Sequence, residues 1–241
     1  MKKLFYFFLM VPVALFMAMS PVVNKQDSLE GAWGLSYEGQ DFVMLFQDGY
    51  CMFTQYSLSD KKFVLTSGGP YTAADGKIKI TAQFNSADKS DVGKLHEYGF
   101  TLSGDELTTK MQDGGFSLTW KRIDAGGQNL AGNWRITKRK QGNEMADIPL
   151  RARRTLKLLT ATRFQWAAIN IETGEFSGTG GGTYTFKDGK YTENIEFFSR
   201  DSSRVGMSLS FDGKLENGDW IHSGKSSKGD PIYEIWSRMK E

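Results

Sequence analysis

The chain is poor in the residues that build catalytic and metal centres. Its 241 residues include one cysteine, Cys51, and two histidines, His96 and His222. A lone thiol cannot close an intramolecular disulfide, so the core must hold the fold. Cys51 itself reads as a buried strand residue. The cysteine and histidines show no ligand spacing, so no metal site is expected, and no cofactor is implied. There is no Gly-x-Ser-x-Gly elbow. The run Gly178-Thr-Gly-Gly-Gly182 lacks the Lys-Ser/Thr of a phosphate loop and reads as a hairpin. No catalytic residue is therefore assigned from a motif. Proline is scarce, at 5 residues, and no segment beyond the N-terminus carries a long stripe at helical spacing. Charge of one sign is also lacking. Without Lys2 and Lys3, 28 basic residues face 28 acidic ones, which argues against a nucleic-acid partner.

What is present begins with a leader. Lys2 and Lys3 precede an uncharged apolar run, Leu4 to Met19, broken by Pro12, and Ala18-Met19-Ser20 offers small residues for cleavage. The run is short of the ~20 residues that span a bilayer. Residues 1–20 therefore read as a signal peptide, with the mature chain starting between Ser20 and Ser28. An exported protein, periplasmic or secreted, with no stable membrane anchor after cleavage is expected.

The remainder repeats itself. Leu29-Glu-Gly31-Ala-Trp33 matches Leu130-Ala-Gly132-Asn-Trp134, and Gly68-Gly-Pro-Tyr71-Thr matches Gly181-Gly-Thr-Tyr184-Thr. Asp75-Gly76-Lys77 matches Asp188-Gly189-Lys190, and Trp120-Lys-Arg122 matches Trp236-Ser-Arg238. The central matches share an offset of 113, against 101 at the start, so the second copy has gained 12 residues. The polar stretch Lys140 to Arg153 is the expected insertion. Domain one is drawn at 29–123, a flexible linker at 124–129, and domain two at 130–239. Asp-Gly pairs supply the positive φ of tight hairpins. Ile78, Ile80, Ala82 and Phe84 alternate with polar residues, as do Tyr191, Ile195 and Phe197. Short strands with turns between them predict an all-β chain of closed antiparallel barrels.

A Gly-x-Trp in the first strand with an Arg in the last resembles the lipocalins and their calycin relatives. Gly182-Thr-Tyr-Thr-Phe-Lys-Asp-Gly-Lys-Tyr-Thr-Glu193, Trp220-Ile-His222 and Glu234-Ile-Trp236-Ser-Arg238 look like lipocalin-like domains of exported bacterial proteins. The resemblance implies two tandem lipocalin-like β-barrels. It implies structural roles for Trp33 with Arg122 and for Trp134 with Arg238, each Arg stacked over a Trp that plugs the closed end. Both copies are shorter than a full lipocalin, and no second lipocalin motif is evident.

Comparing the copies points to domain two for a site. Glu193 aligns with Ile80 and so faces inward, where a carboxylate needs a partner or water. His222 and Trp220 share one strand face, as do Glu234, Trp236 and Arg238. Two readings stay open: a polar cluster inside barrel two, with barrel one simply packed, or Glu193 at the barrel rim in contact with solvent. In the first, Glu193, His222 and Glu234 would be the cluster's polar groups, Trp220 and Trp166 its walls, and the insertion a lid. Three functions stay open: a binding protein holding a small apolar or sugar-like ligand in barrel two, an interaction module with packed barrels, and a hydrolase using Glu193, His222 and Glu234. The basic stretches Lys138-Arg-Lys140 and Arg151-Ala-Arg-Arg154 read either as a solvated charged loop or as a grip on an acidic ligand such as a sulfated glycan.

Overall fold

A computed structural model describes residues 28–111, 115–127, 130–226 and 229–239. The leader expected at 1–20, and residues 128–129 of the linker, lie outside the described residues. The first half contains β1 (Gly31–Tyr37), β2 (Gln40–Gln47), β3 (Tyr50–Ser57), β4 (Lys62–Ala74), β5 (Lys77–Thr81), β6 (Phe84–Asn85), β7 (Leu95–Ser103), β8 (Glu106–Met111) and β9 (Ser117–Asp124). The second contains β10 (Gly132–Gln141), β11 (Glu144–Asp147), β12 (Arg153–Leu159), β13 (Arg163–Asn170), β14 (Glu175–Lys187), β15 (Lys190–Phe198), β16 (Ser208–Glu216), β17 (Asp219–Lys225) and β18 (Pro231–Arg238). Each half closes into an antiparallel barrel of eight strands, through β3–β4 in the first and β10–β18 in the second. The short strands β6 and β11 are additions to these sheets. Closure leaves no long unpaired edge, which suits a chain with so few prolines to guard one.

Each barrel is plugged at one end in the same way. Trp33 and Trp134 are fully buried, and their indole N–H groups donate to Leu29 O at 2.9 Å and Leu130 O at 2.8 Å. Arg122 lies over the Trp33 ring at 4.1 Å and Arg238 over the Trp134 ring at 4.5 Å. A cation over an indole face contributes ~0.5–2 kcal/mol, the upper end where it is desolvated. The glycine two residues before each Trp is required by crowding. A Cβ on Gly132 would overlap the Arg238 guanidinium, and one on Gly31 would overlap the Asp124 carbonyl.

The 12 extra residues of the second half all fall between its first two long strands. Trp33 pairs with Met44, whereas Trp134 pairs with Lys157. They form a hairpin that lengthens β10 and adds β11, and Ile148 just beyond it packs against the barrel-two core.

The barrels share a wall. Strands β2, β3, β12 and β13 are apolar on both faces, so their outer faces bury against each other. Val43, Leu45, Met52 and Tyr56 meet Leu156, Leu158, Ala167, Ile169 and Phe197 in one core. At the centre of this wall sits Gln165, whose amide is held by Thr54, Thr66 and Thr179 at 2.8, 2.8 and 3.1 Å. The connection between the barrels is anchored as well. Asp124 ends β9 and accepts from Thr160, Ala161 and Thr162 of barrel two, while Asp48 of barrel one accepts from Asn133 N and Arg238. The linker, read from sequence as slack, thus begins at a carboxylate fixed by five hydrogen bonds, one of them from Gly126 N.

Candidate functional site

The interiors of the two barrels differ. Barrel one encloses a cavity of about 430 Å³. Its walls are mainly apolar, formed by Met44, Phe46, Phe53, Ile78, Ile80 and Trp120, with Cys51 and Ala82 among them. One side carries polar groups from β6, the connection after it and the start of β7. The Asn85 amide donates to Asp91 Oδ2 at 3.0 Å, and His96 Nε2 lies 2.9 Å from Asp91 Oδ1. Asp88 caps the short 3-10 turn Lys89–Asp91 by accepting from Ser90 N at 2.8 Å. This turn places Asp91 against the first residues of β7. Within the barrel, Trp120 Nε1 donates to Thr109 Oγ1 at 3.0 Å.

Burial pushes the Cys51 thiol up to about 12, so it stays protonated and is no nucleophile. Burial, followed by the fields of Cys51 and Asp91, raises the Tyr98 phenol and keeps it a neutral donor. Among the described residues no three His, Cys, Asp or Glu side chains stand together as a metal site.

In barrel two the polar residues lie inside and not at the rim, and they are packed among aromatic rings. Glu193 is buried and faces inward, and its partner is Lys157, at 2.7 Å from Oε1. Tyr191 OH donates to the same oxygen at 2.9 Å. The Lys157 ammonium is wrapped by four rings, those of Phe164, Tyr191, Trp220 and Trp236, at 5.3–5.6 Å. Glu234 accepts two hydrogen bonds from Arg139, at 3.0 and 2.7 Å, and one from Trp236 Nε1 at 3.0 Å. His222 Nδ1 lies 3.5 Å from Glu234 Oε2, and its ring packs on Phe211, Trp220 and Tyr191. Trp220 is fully buried, whereas Trp166 is partly buried and meets Phe198 edge-on at 5.5 Å.

The five residues read from sequence as a site therefore lie in or beside one interior, but only His222 meets others of the five, Glu234 at 3.5 Å and the Trp220 ring, while Glu193 and Trp166 find their partners elsewhere. Burial pushes His222 below the ordinary imidazole range, and Glu234 only partly offsets this. Burial would raise Glu234, but His222 and Arg139 outweigh it and hold the carboxyl at about 2. Glu193, His222 and Glu234 are each at most 6% exposed.

The ligand cavity that the sequence placed mainly in domain two has its counterpart in barrel one, and the repeat bears on why. Register equates Cys51 with Phe164, and the shared offset equates Ile78 with Tyr191, Ala82 with Ile195 and Thr109 with His222. At each pair the larger side chain is in barrel two. The cavity-lining residues and Lys157 were missed in the sequence. The signal that could have found them was this set of small-for-large exchanges, together with a lone lysine inside Leu156-Lys-Leu-Leu159.

A family model described as a domain of unknown function, DUF4488, matches residues 129–241, the span of barrel two. No curated protein matches the chain. Among solved structures, an uncharacterized protein from Bacteroides eggerthii DSM 20697 is similar at 12% identity and a TM-score of 0.32, over 45% of this chain and 99% of that one.

Proposed function

We propose that this chain is a binding protein that takes a small, mainly apolar ligand into barrel one, with barrel two as its packed support. The observation that carries this reading is the cavity of about 430 Å³, walled by apolar side chains and polar on one side. Ligand pockets typically span ~300–1,000 Å³ and place a few polar groups on apolar walls. The apolar body of the ligand would lie against Trp120, Phe53 and Ile80, and its polar end would meet Asn85, Asp91 and His96. The Arg-over-Trp plugs at both closed ends support a lipocalin-like reading, in which the opposite end admits the ligand. Cleavage of a leader at residues 1–20 would release the protein outside the cytoplasm.

Fluorescence titration with the neutral apolar probe N-phenyl-1-naphthylamine tests the reading. Cys51→Phe and Ala82→Ile copy the residues that fill barrel two, and each should weaken probe binding at least tenfold. Glu193→Ile should leave it unchanged. If Glu193→Ile abolishes binding while both filling variants retain it, the ligand lies in barrel two and the reading fails.

A further inference from the structure

A different feature, independent of the cavity, stands on the outer wall of barrel two. Arg135 on β10 points outward, since its neighbours Trp134 and Ile136 are core residues. It pairs across the sheet with Leu156, which makes Arg154, two residues earlier on β12, its diagonal neighbour on the same outer face. Arg151, just before β12, is exposed, as is Arg153, which alternates to the other face of the strand.

Surface arginines this close ordinarily share a carboxylate, and these do not. Arg135 Nη1 donates to the carbonyls of Ile136 and Ile148 at 3.1 and 2.7 Å, and Arg154 Nε donates to the Arg151 carbonyl at 3.0 Å. The nearby acids are engaged elsewhere: Asp147 with Lys138 at 3.3 Å, Glu234 with Arg139 at 2.7 Å. Among the described residues, Arg135, Arg151, Arg153 and Arg154 form no ion pair. Carbonyl anchors fix the two guanidinium groups without neutralising them, and leave Arg135 Nε and Nη2 and both terminal nitrogens of Arg154 free. Burial, and to a lesser degree the charge of Arg154, push Arg135 below its ordinary range.

We propose that Arg135 and Arg154 form an oxyanion site that takes a phosphate or sulfate ester, with Arg151 at its edge. A tetrahedral oxyanion matches this arrangement because it accepts paired N–H bonds from planar forks and cancels their repulsion.

Thermal melts in sodium sulfate and sodium phosphate, against sodium chloride at equal ionic strength, test the site. Sulfate and phosphate stabilise proteins in general by exclusion from the surface, so the readout is the difference between parent and variant. The parent should gain more than Arg135→Gln/Arg154→Gln in both salts. On a heparin column the double variant should elute at lower salt, with the apparent dissociation constant at least tenfold weaker. Arg135→Lys, which keeps the charge and loses the fork, should fall between. Vesicles containing phosphatidic acid form a parallel arm, and retention there but not on heparin would identify a lipid phosphate as the source. Arg154→Gln alone checks folding, since removing a like charge should not lower the melting temperature in chloride. Equal behaviour of parent and double variant in every arm overturns the proposal.

Discussion

Barrel one and barrel two place their cores on the same frame and use the interior in opposite ways. Where barrel one has Met44 and Ile80 facing a cavity, barrel two has Lys157 and Glu193 joined at 2.7 Å. Where barrel one has Cys51, Ile78 and Thr109, barrel two has Phe164, Tyr191 and His222, larger at every position. The closed ends, by contrast, repeat almost atom for atom, with an indole donating to a carbonyl four residues back and an Arg above the ring. The lesson is that residues which close a barrel and residues which line it vary independently. One family of side chains specifies the fold, and another decides whether there is room inside.

The comparison can be broken first at the plugs. Trp33→Ala and Trp134→Ala should each destabilise by ~3–5 kcal/mol, the cost of truncating a large core aromatic. Because the barrels share a wall, calorimetry of the full chain should show one transition that either variant lowers. Two transitions, each answering to one tryptophan, would separate the barrels energetically.

The charged filling is the next test. Lys157→Met leaves Glu193 buried without its cation and should cost ~3–5 kcal/mol. Lys157→Met/Glu193→Ile copies barrel one and should be neutral or stabilising, by up to ~4 kcal/mol, as for other buried pairs replaced by apolar groups. Denaturant titration of the single and double variants measures both. A double variant as unstable as the single one would show that the ion pair does more than occupy space.

Gln165→Leu cuts the three hydrogen bonds at the shared wall and leaves buried threonine hydroxyls with fewer partners, for a loss of ~1–3 kcal/mol. Its partner position in barrel one, Met52, should tolerate Met52→Leu with less than ~1.5 kcal/mol lost.

Acid should expose the same asymmetry between the barrels. His222 has its folded pKa held below the unfolded value of 6.5, so the unfolded chain binds the proton more readily, and stability falls as pH drops below 6.5. Glu234, at about 2 when folded and 4.5 when unfolded, adds stability above 4.5 that is lost as pH falls towards 2. His222→Thr, the barrel-one residue, should flatten the drop in melting temperature between pH 7 and pH 5. An unchanged slope would exclude His222 as its cause. The smallest effect is expected at exposed pairs. Lys121→Ala in barrel one and Lys190→Ala in barrel two should each cost no more than about 0.5 kcal/mol, since solvent screens such contacts.

Much of the fold was legible because it rests on local signals. The Asp75-Gly76 and Asp188-Gly189 turns have both residues at positive φ, as a two-residue hairpin needs, and the alternation from Ile78 to Ile80 marks an inward face. The wall between the barrels was legible too, although it was not read. Runs such as Phe42-Val-Met-Leu-Phe46 and Leu156-Lys-Leu-Leu159 break the alternation and mark strands buried on both faces. The inward turn of Glu193 could be read from its repeat partner Ile80. Its lysine could not, because pairing across 36 residues depends on the barrel closing. The cavity was the least legible feature, since its only mark is the set of smaller residues at Cys51, Ile78, Ala82 and Thr109 against their barrel-two counterparts.

The shared wall also bears on the order in which the chain is made. Barrel one is completed at Asp124, before any of Leu156, Leu158 or Phe197 has been synthesised. Until then Val43, Leu45, Met52 and Tyr56 form an apolar flank facing solvent on a finished barrel, a surface on which nascent chains stick to one another. Synthesis therefore passes through a vulnerable interval that closes only when β12, β13 and β15 arrive, and a chaperone acting on this protein would be needed during that interval rather than afterwards.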